Sequence, residues 1–274
     1  MSAVAELLPP EQFPNLAALL PGKVIRQRRA ELERIKPALL WQLERDLALL
    51  CRYVPKAGIT RAYRDLLGAP GQLVEALYEI RSAAMLAPFV ERPELAPTVG
   101  PGKCDFKGTI AGHTVFVEVT KKEDLFPFER GSQEKTMPVR GRVTVEAEFD
   151  PTTARQDPSV RGIPASQELR ERIRDKLRQL PAGEINLLVV GTLGGLSLHT
   201  EAAVLGDQQE RTRSEGPLWT ERLPNGFFAI DAETGGASRL AALVWMKLEA
   251  PSLDIRVHAR LFVNERASRA LPPE

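Results

Sequence analysis

The chain has 274 residues, of which 43% are hydrophobic and 27% charged, and a net charge of +1. That is ordinary globular usage, enough for one substantial core with a helical appendage, and it excludes global disorder. Two cysteines and three histidines exclude a disulfide framework, argue against a structural zinc site and point to a reducing, cytoplasmic setting.

Residues 1–22 carry Pro9, Pro10, Pro14 and Pro21 and read as a loosely packed lead-in. Glu6 interrupts the first apolar stretch, which also lacks a basic start, so no secretory signal is expected. Over 22–53, Leu39, Leu40, Leu43, Leu47 and Leu50 recur at helical spacing, and Pro37 marks a break or a first turn. Between Lys23 and Arg64 there are eleven Lys/Arg against four acids, which reads as a solvated helical face or as a phosphate-facing surface. Residues 56–58 read as a linker. A second helix spans 72–87 with Leu73, Leu77, Ile80 and Ala84 as its apolar stripe. Pro88 stops it, and 93–102, with three prolines and two glycines, reads as a loop. This divides the chain into an N-terminal helical region, 1–65, and an α/β core, 66–274.

The hydrophobic period then changes to two. Residues 104–110 and 114–120 are predicted strands around an Ala111-Gly112 turn. Residues 121–165 are polar and irregular and read as an insertion, with a strand candidate at 143–149. Residues 166–180 form a predicted amphipathic helix, with Leu169, Ile173, Leu177 and Leu180 inward, Arg170, Arg174 and Arg178 outward, and Ser166 as N-cap. The apolar run 185–190 suits a strand buried on both faces, and a short helix follows near 197–205. Residues 239–248 fit either helix or strand; the clean alternation of 255–263 favours a hairpin between the two. No apolar run approaches the roughly 20 residues of a membrane span, so no membrane association is expected. The order implies a mixed α/β fold with one sheet covered by helices.

A two-residue turn at Ala111-Gly112 sets Ile110 opposite His113 and, further along, Asp105 opposite Glu118. A loop one residue longer would shift the register and part the two acids. Opposed side chains on a hairpin have Cβ atoms about 4.5–5.5 Å apart, and two carboxylates about 5 Å apart repel by about 3 kcal/mol at an effective dielectric of about 20. A shared proton, a nearby cation or a bound metal must compensate. Hard oxygen ligands suit Mg²⁺ or Mn²⁺. Strand alternation puts Glu118, Thr120 and Lys122 on one face, and Asp105 with Lys107, so a lysine can stand beside the acids. Glu79 lies at the flank of its helix's apolar stripe, from which it can reach a site at the sheet edge.

An acid on a helix, then Asp105, then Glu118 near the end of the next strand resembles the PD-(D/E)XK nuclease superfamily, the restriction-endonuclease-like fold. The similarity continues through a basic helix with Lys176 and Gln179, the strand 185–190, and a final strand running into Asn264, as in many bacterial members. It spans roughly 66–270 and leaves the N-terminal region uncovered. The resemblance implies a restriction-endonuclease-like mixed sheet flanked by helices and a metal-dependent hydrolase cutting phosphodiester bonds, with DNA the favoured substrate. It implies Asp105 and Glu118 as metal-binding acids, Val119 as a main-chain carbonyl ligand, Glu79 as the assisting helix acid and Mg²⁺ or Mn²⁺ as cofactor. Position 120 is Thr where the motif has its lysine. The lysine has then moved, to Lys122 or Lys107, or the site is inactive and the chain is a nuclease-fold scaffold for nucleic acid or a protein partner. Arg170, Arg174, Lys176 and Arg178 are expected to track phosphates. A homodimer or another protein partner is left open.

Overall fold

The computed structural model describes residues 8–20, 22–27, 32, 37–69, 72–99, 102–121, 136–139, 142–145, 165–192, 197–206, 208–211, 219–222, 226–229, 237–249 and 256–271. Most of the 121–165 insertion lies outside these. Within it, Thr136–Val139 pairs with Arg142–Val145 as a small antiparallel ribbon.

Three principal helices precede the sheet: α1 (Pro37–Leu50), α2 (Lys56–Gly68) and α3 (Leu73–Leu86). Pro37 opens α1, where a missing N–H costs nothing. The expected linker at 56–58 is instead the first turn of α2, and the expected junction at residue 65 falls inside that helix. Its buried residues Ile59, Tyr63 and Leu67 recur every fourth position, giving a narrow stripe diluted by polar neighbours.

A six-stranded sheet follows: β1 (Glu91–Leu95), β2 (Phe106–Ile110), β3 (His113–Lys121), β4 (Ile185–Thr192), β5 (Ala242–Glu249) and β6 (Arg256–Val263), adjacent in chain order. The β3–β4 and β4–β5 pairs are parallel and the other three antiparallel. The expected loop at 93–102 therefore begins with the end of an edge strand. Proline survives at position 93 because an edge strand has unpaired N–H positions, and the ladder shifts register between Glu91 and Glu94. The ambiguity at 239–248 resolves as strand, paired to β6 as a hairpin.

The parallel crossovers carry α4 (Ala165–Leu177) and α5 (Ser197–Leu205). Leu169, Ile173, Leu177, Ala203 and Val204 bury against Leu188, Val190 and Leu243 on one sheet face. The helices α1, α2 and α3 build the larger core on the other face with Val115, Val117, Val119 and Val189. That core joins Leu16, Leu47 and Leu67 to the sheet, so the N-terminal helices pack onto the α/β layer. The helix α3 lies directly on β3 and β4, with α1 packed on α3 and α2 packed on both α3 and the edge strand β1. Gly191 permits this approach: a Cβ there would sit 2.3 Å from the Tyr78 ring.

Inside the helical layer the buried acids have named partners. Glu44 accepts from the Asn15 backbone N–H (3.1 Å), Asn15 Nδ2 (2.6 Å) and the Leu16 N–H (2.8 Å). Asp46 accepts from Arg81 at 2.6 Å and from Gln42 Nε2 at 2.9 Å. On the opposite side Asn264 is a structural clamp: its Nδ2 donates to the Ala237 and Leu240 carbonyls at 2.8 and 2.9 Å.

Candidate active site

The β2–β3 turn has Ala111 at φ 49° and Gly112 at φ 79°, the paired left-handed conformations of a tight two-residue hairpin. Ile110 faces His113 and Phe106 faces Val117, as the turn predicts. Asp105 lies one residue before Phe106 and so falls opposite Glu118. Its Oδ2 accepts the Val119 backbone N–H at 2.7 Å. The two acids thus stand at the open end of the hairpin, toward the carboxyl end of the parallel pair β3–β4, where sheets of this kind leave a crevice.

Glu118 is 1% exposed and Lys176 23%. Lys176 Nζ donates to Glu118 Oε1 at 2.7 Å, while Glu118 Oε2 is buried without a hydrogen-bond partner. Lys176 therefore belongs to the acid pair and not to a phosphate-tracking stripe. Burial works to lower its pKa, and the carboxylate of Glu118 more than offsets that, holding the ammonium above its usual range. The signal was present in the sequence: Lys176 falls one turn after Ile173 and two turns after Leu169, on the apolar arc of its helix.

The helix α3 brings Glu79, and also Glu75 one turn earlier, toward the same acids from the other face. Burial pushes the Glu79 carboxyl up to about 9, helped by the charges of Asp105 and Glu75 and opposed by Lys176. Burial likewise raises Glu118 to about 7, with Asp105 adding to the rise and Lys176 opposing it. Asp105 is raised to about 6 by burial, against the Val119 N–H and Lys176. Glu75 escaped the sequence reading because it lies off the apolar stripe, although its i,i+4 spacing to Glu79 puts both on one helix side.

The other expected residues go elsewhere. Lys107 pairs with Glu94 at 3.5 Å and lies 5.9 Å from the Phe116 ring centroid, so it is not the site's cation. Lys122 lies outside the described residues, as does the side chain of Lys121. Thr120 is buried. Arg170 is buried as well; its guanidinium donates to the Ala203 and Ala202 carbonyls at 3.2 and 3.3 Å, tying α4 to the end of α5. It was expected to face outward. The apolar arc of α4 is wider than its leucines show; Arg170 answers the Ala203 carbonyl in the last turn of α5 and shares the Ala202 carbonyl with the Gly206 N–H. Arg174 and Arg178 are exposed, with Arg178 3.4 Å from Asp175.

Asp105 and Glu118 are hard oxygen donors, and the partnerless Glu118 Oε2 is an acceptor awaiting a donor or a cation, so the pair fits a divalent ion. Among the described residues, no three His, Cys, Asp or Glu side chains form a ready-made metal group. Comparison of the chain with protein-family models, with curated proteins and with solved structures finds no match.

Proposed function

We propose that this chain is a metal-dependent hydrolase of phosphodiester bonds, of the restriction-endonuclease-like type, with DNA as the favoured substrate. The observation that carries the reading is Lys176 on Glu118 at 2.7 Å beside Asp105: two acids and a lysine side by side, with the lysine supplied by α4 instead of position 120. Asp105 and Glu118 would hold Mg²⁺ or Mn²⁺, with the Val119 carbonyl adjacent. When bound, such an ion supplies polarisation of a phosphoryl oxygen and a lowered pKa for an attacking water.

The chain's own residues do the remainder. The Val119 N–H fixes the Asp105 carboxylate. Lys176, one-quarter exposed and bonded to Glu118, would orient a water or offset charge developing on the phosphoryl group. Glu79 stands behind the pair as the assisting helix acid. Arg174 and Arg178, exposed on α4, would meet backbone phosphates.

The second reading, a non-catalytic scaffold of the same fold that binds nucleic acid or a protein, is favoured by the lack of a three-ligand group among the described residues. Melting the protein with and without Mg²⁺ or Mn²⁺ separates the two, because an ion that binds only the folded state raises the melting temperature. The hydrolase reading expects a rise that Asp105→Asn abolishes, together with cleavage of DNA. No rise and no cleavage of DNA or RNA leaves the scaffold.

A further inference from the structure

The charges of the helical layer divide by sign. Over residues 37–69 the acids Glu44 and Asp46 turn inward and are answered there, Glu44 by Asn15 and Leu16, Asp46 by Arg81 and Gln42. The cations Arg45, Arg52, Lys56, Arg61 and Arg64 all stay exposed, and Asp65 is the one exposed acid of the stretch. Among the described residues, none of the five cations has a salt-bridge partner. The charge of Arg45 reaches Asp46, but Arg81 already holds that acid at 2.6 Å. Their placement follows from the helix period. Arg45 lies on the side of α1 away from Leu43, Leu47 and Leu50, and Arg61 and Arg64 lie on the side of α2 away from Ile59, Tyr63 and Leu67. Arg52 stands in the turn after α1, and Lys56 opens α2. Both helices pack on α3, and the short helix Pro14–Leu19 packs on both, so they form one layer.

A helix face that is merely solvated mixes the two signs. The exposed face of α4 does so: Arg174 and Arg178 share it with Glu171 and Asp175, and Arg178 is 3.4 Å from Asp175. The α1–α2 face does not. We propose that the exposed face of α1 and α2, with Arg52 and Lys56 at its middle, is a docking surface for the phosphate backbone of DNA. Charge complementarity selects that partner. Duplex DNA carries one negative charge about every 1.7 Å of its axis, so it can meet several separate cations at once, and arginine forks match phosphate oxygens. A membrane would ask for apolar side chains free to insert beside the cations. Trp41, one turn before Arg45, instead packs against Phe13, with ring centroids 4.5 Å apart. Contacts of this kind hold and orient the nucleic acid without reading its sequence. The surface extends the nucleic-acid part of the proposed function and does not need the acid pair to be catalytic.

The test is binding of the full chain to a short mixed-sequence DNA duplex, read by fluorescence anisotropy in EDTA so that no cleavage intervenes. Salt is raised from about 50 to 200 mM, because the slope of log affinity against log salt counts the phosphates engaged, at about 0.9 each. Arg61→Gln with Arg64→Gln should lower that slope by about 2 and weaken binding about tenfold, and Arg52→Gln with Lys56→Gln should do the same. All four side chains are exposed, so an unchanged melting temperature is expected; should one pair not fold, the other decides. An unchanged slope in either folded pair overturns the proposal, as does a loss confined to Arg174→Gln with Arg178→Gln. A wild type that binds phosphatidylserine vesicles but no DNA overturns it too. A wild type that binds DNA through this face but does not cut it when Mg²⁺ or Mn²⁺ is supplied removes the hydrolase reading and leaves the surface standing.

Discussion

Two sets of acids are drawn into this protein, and they are treated differently. In the helical layer, Glu44 has three hydrogen-bond donors and Asp46 has Arg81 and Gln42. At the end of the β2–β3 hairpin, Asp105 has one backbone N–H, Glu118 keeps one oxygen bare, and Glu75 and Glu79 crowd the same acids, which raises the proton affinity of Glu79. Lys176 is the cation set against them. The first set is compensated as folding requires. The second is compensated less completely, and the raised proton affinity of its acids is the arrangement that the proposed metal site would use.

The largest effect expected is at Lys176. Lys176→Met should cut phosphodiester cleavage by about 10²–10⁴-fold, the range typical of positioned proton-transfer groups, while Mn²⁺ binding by titration calorimetry persists. Cleavage unchanged in that variant would return the cation to position 122.

The comparison itself is broken or sharpened by stability. Arg81→Ala strands Asp46 in the helical layer and should cost about 3–5 kcal/mol in urea unfolding, as when one partner of a buried pair is removed. Asp105→Asn relieves repulsion and should leave metal-free stability unchanged or higher. Equal losses in the two variants would erase the distinction.

The pH profile follows from the same raised proton affinities. An acid whose pKa is raised by folding binds its proton more tightly in the folded state. Its stabilisation is therefore full below the unfolded pKa and is lost as pH rises through the folded one. With Asp105 at about 6, Glu118 at about 7 and Glu79 at about 9, against ordinary values of 3.8 to 4.5, the metal-free protein should lose stability steadily from about pH 4 to 9. Glu79→Gln should flatten the alkaline end of that decline. Thermal melts at pH 5, 7 and 9 check both, and a flat wild-type profile breaks the comparison.

The smallest effect belongs to Lys107. It is paired with Glu94 across the edge strand, so Lys107→Ala should leave cleavage within about twofold and stability within about 0.5 kcal/mol, the usual span for surface changes.

Much of the fold is legible because its causes are local. The Ala111-Gly112 turn sets the register by backbone conformation alone, and that register carries Asp105 to Glu118. The leucine spacing of α1 and α4 and the alternation of β6 are likewise properties of short windows. Residues 56–58, the first turn of α2, read as a linker because the helix's stripe is narrow, and 93–102, which takes in the end of β1, reads as loop because Pro93 suits an edge strand as well as a loop. Both depend on what lies beside them.

By itself, then, the sequence determined the strand and helix order, the hairpin register and the pair of facing acids, because turn geometry and hydrophobic period act over a few residues. Only the tertiary structure decided which cation answers them. Lys176 is 58 residues from Glu118 along the chain, and the two meet because the β3–β4 crossover lays α4 over the hairpin's open end. It also decided that Arg170 faces inward to the end of α5. No local window holds those contacts, since they are set by the layers packed on the two faces of one sheet.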